Sequence, residues 1–195
     1  MKRRTCLAAA AAAVGLSACG KKDDSTPAAA PAAAAVPVSL DKIASDAKGF
    51  NVGSTMSTRV VYVFFDAQCP HCAALWAAAK PLKPQARFVW IPVGLLGEKS
   101  FSQGAAILAA PDPVAAMEQN EASVQDHTGG ISAINMSEAQ IAPVKGNTQL
   151  FNGFAFSGVP TIVGKHAVSG ELVTLDGAMP TQLLAQRLGL NAPPT

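Results

Sequence analysis

Val60-Val61-Tyr62-Val63-Phe64-Phe65, then Asp66-Ala67-Gln68, then Cys69-Pro70-His71-Cys72-Ala73-Ala74-Leu75-Trp76 sets the architecture of this chain. The apolar run is rich in β-branched and aromatic residues and reads as a buried strand. From Cys69 to about Lys80 the pattern is helical, with Pro81 and Pro84 marking the end. Pro70 suits the first helical turn, where no N–H is needed and its fixed φ is already helical. Cys69 then falls at the helix N-terminus, where unpaired N–H groups and the helix dipole favour a thiolate. Cys72 lies three residues on, one turn along the same face, close enough to bridge. The thiolate is the reacting form of a thiol. Cys69 therefore reads as the nucleophile and Cys72 as the resolving thiol, with Pro70 and His71 completing the centre.

A C-x-x-C pair at a strand-to-helix junction is the redox motif of the thioredoxin fold. Other uses of two cysteines fit less well. A structural zinc site needs four ligands. The only other cysteines are Cys6 and Cys19, and His127 and His166 show no ligand spacing. Haem attachment needs a His directly after the second Cys, and that residue is Ala73. A structural disulfide closing so short a loop removes little unfolded-state entropy. No metal is expected, and no cofactor beyond a redox-active Cys69–Cys72 disulfide.

Residues 1–18 read as a secretory leader. Met1-Lys2-Arg3-Arg4 is a basic start, and the apolar stretch from Cys6 to Leu16 is too short to span a bilayer. Leu16-Ser17-Ala18-Cys19 resembles the bacterial lipobox, which implies cleavage before Cys19 and lipidation of its thiol. Acyl chains contribute about 0.8 kcal/mol per buried CH2, so several anchor a domain without a transmembrane helix. Gly20, rather than Asp, resembles an outer-membrane sorting signal more than inner-membrane retention. Cys69 and Cys72 are then the free thiols of the mature domain, an economy suited to an oxidising compartment. The formal charge of +2 depends on Lys2, Arg3 and Arg4, without which 12 basic residues face 13 acidic ones. No basic patch interleaved with aromatics points to nucleic acid.

Residues 19–38 form an Ala/Pro-rich stretch with little to bury, expected to be a disordered tether. Its reach is several tens of Å at about 3 Å per residue. Residues 39–195 fit one domain. Leu40 to Lys48 reads as a short helix closed by Gly49, and Arg59 to Phe65 as a strand. Arg87-Phe88-Val89-Trp90-Ile91-Pro92-Val93 is the next strand, with Pro92 expected near an end or edge. Helices are expected over Ser100–Ala110, Val114–Asp126 and Ser137–Phe151, the last interrupted by Pro143 and Gly146. Thr161–Val163 and Glu171–Leu175 form a hairpin containing Gly170, and a helix from Met179 or Pro180 to Leu188 ends at Gly189. The order is β-α-β, helical insert, β-β-α. The fold class is α/β, a thioredoxin fold with an inserted helical subdomain.

Phe65-Asp66-Ala67-Gln68-Cys69-Pro70-His71-Cys72 with Trp76 resembles the catalytic domain of DsbG/DsbC-type thiol:disulfide interchange proteins. Ala105 to Pro113 and Glu118 to Ser123 are similar to the helical insert of DsbG. The resemblance runs from about Leu40 to Leu190. It implies a periplasmic oxidoreductase acting on protein disulfides or sulfenylated cysteines and kept reduced by a DsbD-type membrane protein. It also implies that Val159-Pro160 faces the cysteines, with Pro160 cis and the backbone of Val159 available to an incoming peptide.

This chain departs from the DsbG/DsbC pattern in three places. The N-terminal dimerisation domain of those families has no counterpart in the tether and short helix before Arg59, so a monomer is expected. Cys-Pro-His-Cys and Val159 both resemble DsbA, the oxidase that works with a DsbB-type oxidant. His71 can carry positive charge near Cys69, and a more stable thiolate makes the disulfide more oxidising. Asp66 reads as a turn or capping carboxylate, with a proton relay as the alternative. Val63 stands six residues before Cys69, where thioredoxin itself carries a buried acid, so proton transfer at Cys72 needs water or another group. A lipoprotein chaperone without redox chemistry, and electron transfer to one dedicated partner, are the remaining alternatives.

Overall fold

A computed structural model describes residues 35–194 of the chain. The leader, the lipidation site Cys19 and most of the tether lie outside the described residues. Five strands form one mixed sheet: β1 (Phe50–Gly53), β2 (Val60–Asp66), β3 (Arg87–Val93), β4 (Thr161–Lys165) and β5 (Leu172–Asp176), in the order β1-β3-β2-β4-β5. β2 and β3 are parallel, joined by α2 (Pro70–Ala79) and a 3-10 turn, Lys80–Leu82; the other pairs are antiparallel. α1 (Leu40–Asp46) precedes the sheet and α6 (Thr181–Leu188) closes it. Between β3 and β4 lie α3 (Glu98–Ala109), α4 (Pro113–Gln125) and α5 (Glu138–Gly153). This is the expected thioredoxin order with its helical insert.

The alternation along the central strands builds two cores, because successive side chains point to opposite faces. Val61, Val63 and Phe65 of β2 join Phe88 and Trp90 of β3 against Leu75 and Trp76 of α2 and Leu184 and Leu188 of α6. Phe64, Ile91, Val93 and Val163 pack on the other face against Ile43, Phe151 and Phe154. Both faces of β2 are thus covered, which is why its sequence is an unbroken apolar run.

Several boundaries differ from the sequence reading. β1 is an additional strand before Arg59: Phe50 and Val52 face inward, and it pairs antiparallel with β3 from Phe50↔Trp90 to Gly53↔Arg87. Gly49 does not close α1, which ends at Asp46. A Cβ on Gly49 would lie 2.5 Å from the Trp90 carbonyl oxygen, so that glycine serves the close approach to β3. The end of the stretch assigned to the tether lies against the domain. The Val36 amide donates to the Gly153 carbonyl at 2.9 Å, and Val38 packs on the Phe64 core. α5 continues through Pro143, near its exposed first turns, where water can satisfy the carbonyl left without a donor. No helix among the described residues is long and apolar enough to cross a membrane.

Candidate active site

Cys69 is the N-cap of α2, and Pro70 occupies its first turn, as the sequence places them. The Cys69 amide donates to the Asp66 carbonyl at 3.0 Å and the Cys72 amide to the Cys69 carbonyl at 3.0 Å, which fixes the turn. Both cysteines are free thiols; Cys69 is 5% exposed and Cys72 fully buried. Their environments drive them apart. Cys69 is lowered to about 6, first by a hydrogen bond from the Cys72 thiol, then by the backbone N–H groups of Cys72 and His71 and the charge of His71, against desolvation. Cys72 is pushed well above an ordinary thiol, chiefly by burial and then by the neighbouring Cys69. One thiolate and one retained thiol result, the division of labour that two-step thiol–disulfide exchange needs.

Val159-Pro160 enters β4 through a cis peptide bond, and the Cys69 Sγ lies 3.7 Å from the Val159 carbonyl oxygen. The pair therefore faces the nucleophile across the sheet end. Asp66 is fully buried, yet its carboxylate is occupied by backbone. Oδ1 accepts from the Gln68 amide at 2.9 Å, and Oδ2 from Leu95 and Leu96 at 2.7 and 3.0 Å. This is a turn-capping carboxylate that ties the redox turn to the segment after β3.

The insert reaches the redox centre through a polar cluster that sequence reasoning missed. Asn120 of α4 donates to the Ala67 carbonyl at 2.9 Å and accepts from the Ile131 amide at 3.0 Å. Gln103 of α3 donates to the carbonyls of Gly129 and Ile131, and Gln68 donates to Gln103 and to the Gly129 carbonyl. Gly130, at φ +82°, leaves room for this cluster: a Cβ there would sit 2.6 Å from the Gln103 amide nitrogen. Trp76 donates to Glu118 at 2.7 Å, and Glu118 also pairs with Lys80, which fastens α4 to α2.

Glu121 of α4 is also missed, and only 2% exposed. Its carboxyl is pushed up to about 8, foremost by burial, with the charges of Cys69 and Asp66 adding to the shift. A signal was present in the sequence: Val114, Met117, Glu121 and Val124 fall on one helical stripe, so Glu121 occupies a position where the pattern calls for an apolar residue.

Fold and site together define a thioredoxin-fold protein carrying a C-x-x-C thiol pair. No protein-family model matches the chain. Its sequence is 31% identical over 141 residues to the thiol:disulfide interchange protein DsbG of Pseudomonas aeruginosa. That alignment takes in 70% of this chain and 54% of the relative, so the chain spans about half the length of the curated protein it matches. The catalytic domain of Proteus mirabilis ScsC superposes with a TM-score of 0.61 at 20% identity, covering 76% of this chain and 92% of that one. A periplasmic thioredoxin-like protein from Salmonella enterica serovar Typhimurium gives 0.55 at 18% identity, covering 72% and 88%. A disulfide interchange protein from Neisseria gonorrhoeae gives 0.53 at 21% identity, covering 78% and 96%. The structural likenesses establish the thioredoxin-like fold. The sequence match makes the chain similar to a thiol:disulfide interchange protein over about half of that protein's length.

Proposed function

We propose that this protein is a periplasmic thiol:disulfide oxidoreductase acting on protein cysteines, a DsbG-like reductase or isomerase. The observation that carries the reading is the split pair: a stabilised thiolate at Cys69, facing the Val159 carbonyl of the cis-Pro160 turn, beside a buried, protonated Cys72. Cys69 thiolate attacks a substrate disulfide, forming a mixed disulfide and expelling one substrate thiolate. Cys72 then attacks the Cys69 sulfur, forming the Cys69–Cys72 disulfide and releasing the second thiolate. The substrate gains two electrons and the C-x-x-C pair loses them. A sulfenic acid enters the same way, leaving hydroxide in the first step. A DsbD-type membrane reductant restores the dithiol, and no other cofactor is needed. Val159 offers backbone to an extended peptide beside the thiols. The domain acts as a monomer, held to the envelope membrane by a lipid on Cys19, with the outer membrane as its destination.

A second reading, DsbA-like oxidation fed by a DsbB-type oxidant, is favoured by Cys-Pro-His-Cys, by Val159 and by the low Cys69 value. A stabilised thiolate favours the reduced form and so makes the disulfide a stronger oxidant. The deciding experiment is the redox state of Cys69 and Cys72 in the native cell envelope, trapped by acid and thiol-specific mass tags. A mostly reduced pair supports the reductase or isomerase. A mostly oxidised pair supports the oxidase, and a Cys69→Ser variant with full activity overturns both.

A further inference from the structure

Cys72 must lose a proton to resolve the mixed disulfide, and Asp66, the nearest acid in sequence, has its carboxylate taken up by three backbone N–H groups. Glu121 is different. α4 packs on α2, and both Glu121 and Cys72 are shut off from solvent. One glutamate oxygen, Oε1, accepts from Asn120 Nδ2 at 3.1 Å; the same Nδ2 donates to the Ala67 carbonyl, two residues before Cys69. The carboxyl is therefore one amide group away from the redox turn. Its other oxygen, Oε2, is buried and has no hydrogen-bond partner. Leaving a buried polar atom unpaired costs about 1–3 kcal/mol, and such atoms in folded proteins call for an explanation.

We propose that Glu121 is the proton-exchange partner of Cys72, a role that rests on the thiol–disulfide exchange proposed above. In the resolving step the Cys72 thiol gives its proton to the Glu121 carboxylate, and its sulfur bonds to the Cys69 sulfur. The Cys69–substrate bond breaks, and the substrate leaves as a thiolate. The proton then passes from Glu121 to that thiolate or to water. In the reverse direction Glu121 returns a proton to Cys72 as the disulfide opens.

The electrostatics time this exchange. The Cys69 thiolate raises the proton affinity of both Glu121 and Cys72, and the charges of Asp66 and Glu118 act on Glu121 in the same sense. α3 presents the neutral Gln103 to this cluster, with Glu98 and Lys99 exposed at its first turn, and β1 carries no ionisable side chain. Forming the mixed disulfide removes the Cys69 charge. Glu121 then ionises more readily, and Cys72 becomes more acidic, at the moment when proton removal is required.

The test is stopped-flow reaction of the reduced protein with Ellman's disulfide across pH 6–10. The first equivalent of coloured thiolate reports mixed-disulfide formation at Cys69, and the second reports resolution by Cys72. The leaving thiolate needs no proton, so the second phase reads removal of the Cys72 proton. Glu121→Gln keeps the shape and the acceptor for Asn120 while removing the acid. The expected result is an unchanged first phase, a second phase slowed about ten-fold or more at pH 7, and loss of the inflection that wild type shows as Glu121 ionises. An unchanged second phase with the same pH profile overturns the role of Glu121. If wild type gives no first phase, thiol–disulfide exchange itself fails, a separate result.

Discussion

The Cys69 Sγ and the Val159 carbonyl oxygen stand 3.7 Å apart, although 90 residues separate them in sequence. Cys69 is held by the start of α2 and Val159 by the cis turn into β4. Because β4 runs antiparallel to β2, the end of β2 that leads to Cys69 and the start of β4 that follows Val159 meet at one end of the sheet. On the proposed function, a peptide that pairs with the Val159 backbone would bring its own sulfur to the nucleophile. Cys72→Ala is therefore expected to retain this encounter and accumulate mixed disulfides with client proteins, whereas Cys69→Ser gives none. Non-reducing electrophoresis of envelope extracts from the two variants is the check.

The thiolate absorbance of the reduced protein should titrate with a midpoint of about 6, because Cys72 stays protonated well beyond that range. His71→Ala should raise the midpoint only modestly. The larger contributions come from the Cys72 thiol and from backbone N–H groups, which an alanine keeps. A large rise would mean that the imidazole dominates.

The stability of the reduced protein should carry two opposed pH dependences. Cys69 titrates at about 6 when folded and near the ordinary thiol value of 9.0 when unfolded. Its contribution is present above 9 and is lost as pH falls to 6, at about 1.4 kcal/mol per unit. Glu121 has a raised folded value of about 8 against an ordinary 4.5. Its contribution is present in full below 4.5 and is lost as pH rises to 8. With the pair oxidised, Cys69 drops out. Glu121→Gln should then be more stable than wild type at pH 8 by on the order of 2–4 kcal/mol, and nearly equal to it at pH 4. Urea unfolding at the two pH values measures this.

Asp66→Asn should cost about 1–3 kcal/mol, because one amide oxygen replaces a carboxylate that accepts three backbone N–H groups. The pH profile of the resolving step should keep the wild-type inflection. A lost inflection would return the relay role to Asp66.

Asn120→Ala removes the donor to the Ala67 carbonyl and the acceptor for the Ile131 amide, both buried or nearly so. We expect a loss of about 1–3 kcal/mol and faster amide hydrogen exchange at residues 129–131 than in wild type. Exchange unchanged in that loop would mean that the Gln103 bonds alone hold it.

The sequence by itself determined the strand, the thiol pair, the helix behind it and the order of elements. Apolar runs, Pro70 at a helix start and terminators such as Gly189 are local signals, each imposed by backbone geometry and the burial of adjacent residues. β3 runs from Arg87 to Val93, as its apolar run indicates. β1 is four residues long with only Phe50 and Val52 buried, too short to show a period, and exists because β3 offers it an open edge. The stripe Val114-Met117-Glu121-Val124 was visible in the sequence, but a glutamate there reads equally as a solvated interruption. Only the packing of α4 on α2 encloses Glu121, one amide group from the redox turn, and only the fold of the 127–131 loop brings Asn120 and Gln103 to that turn. Desolvation and long-range hydrogen bonding depend on which surfaces meet, and that is decided in three dimensions.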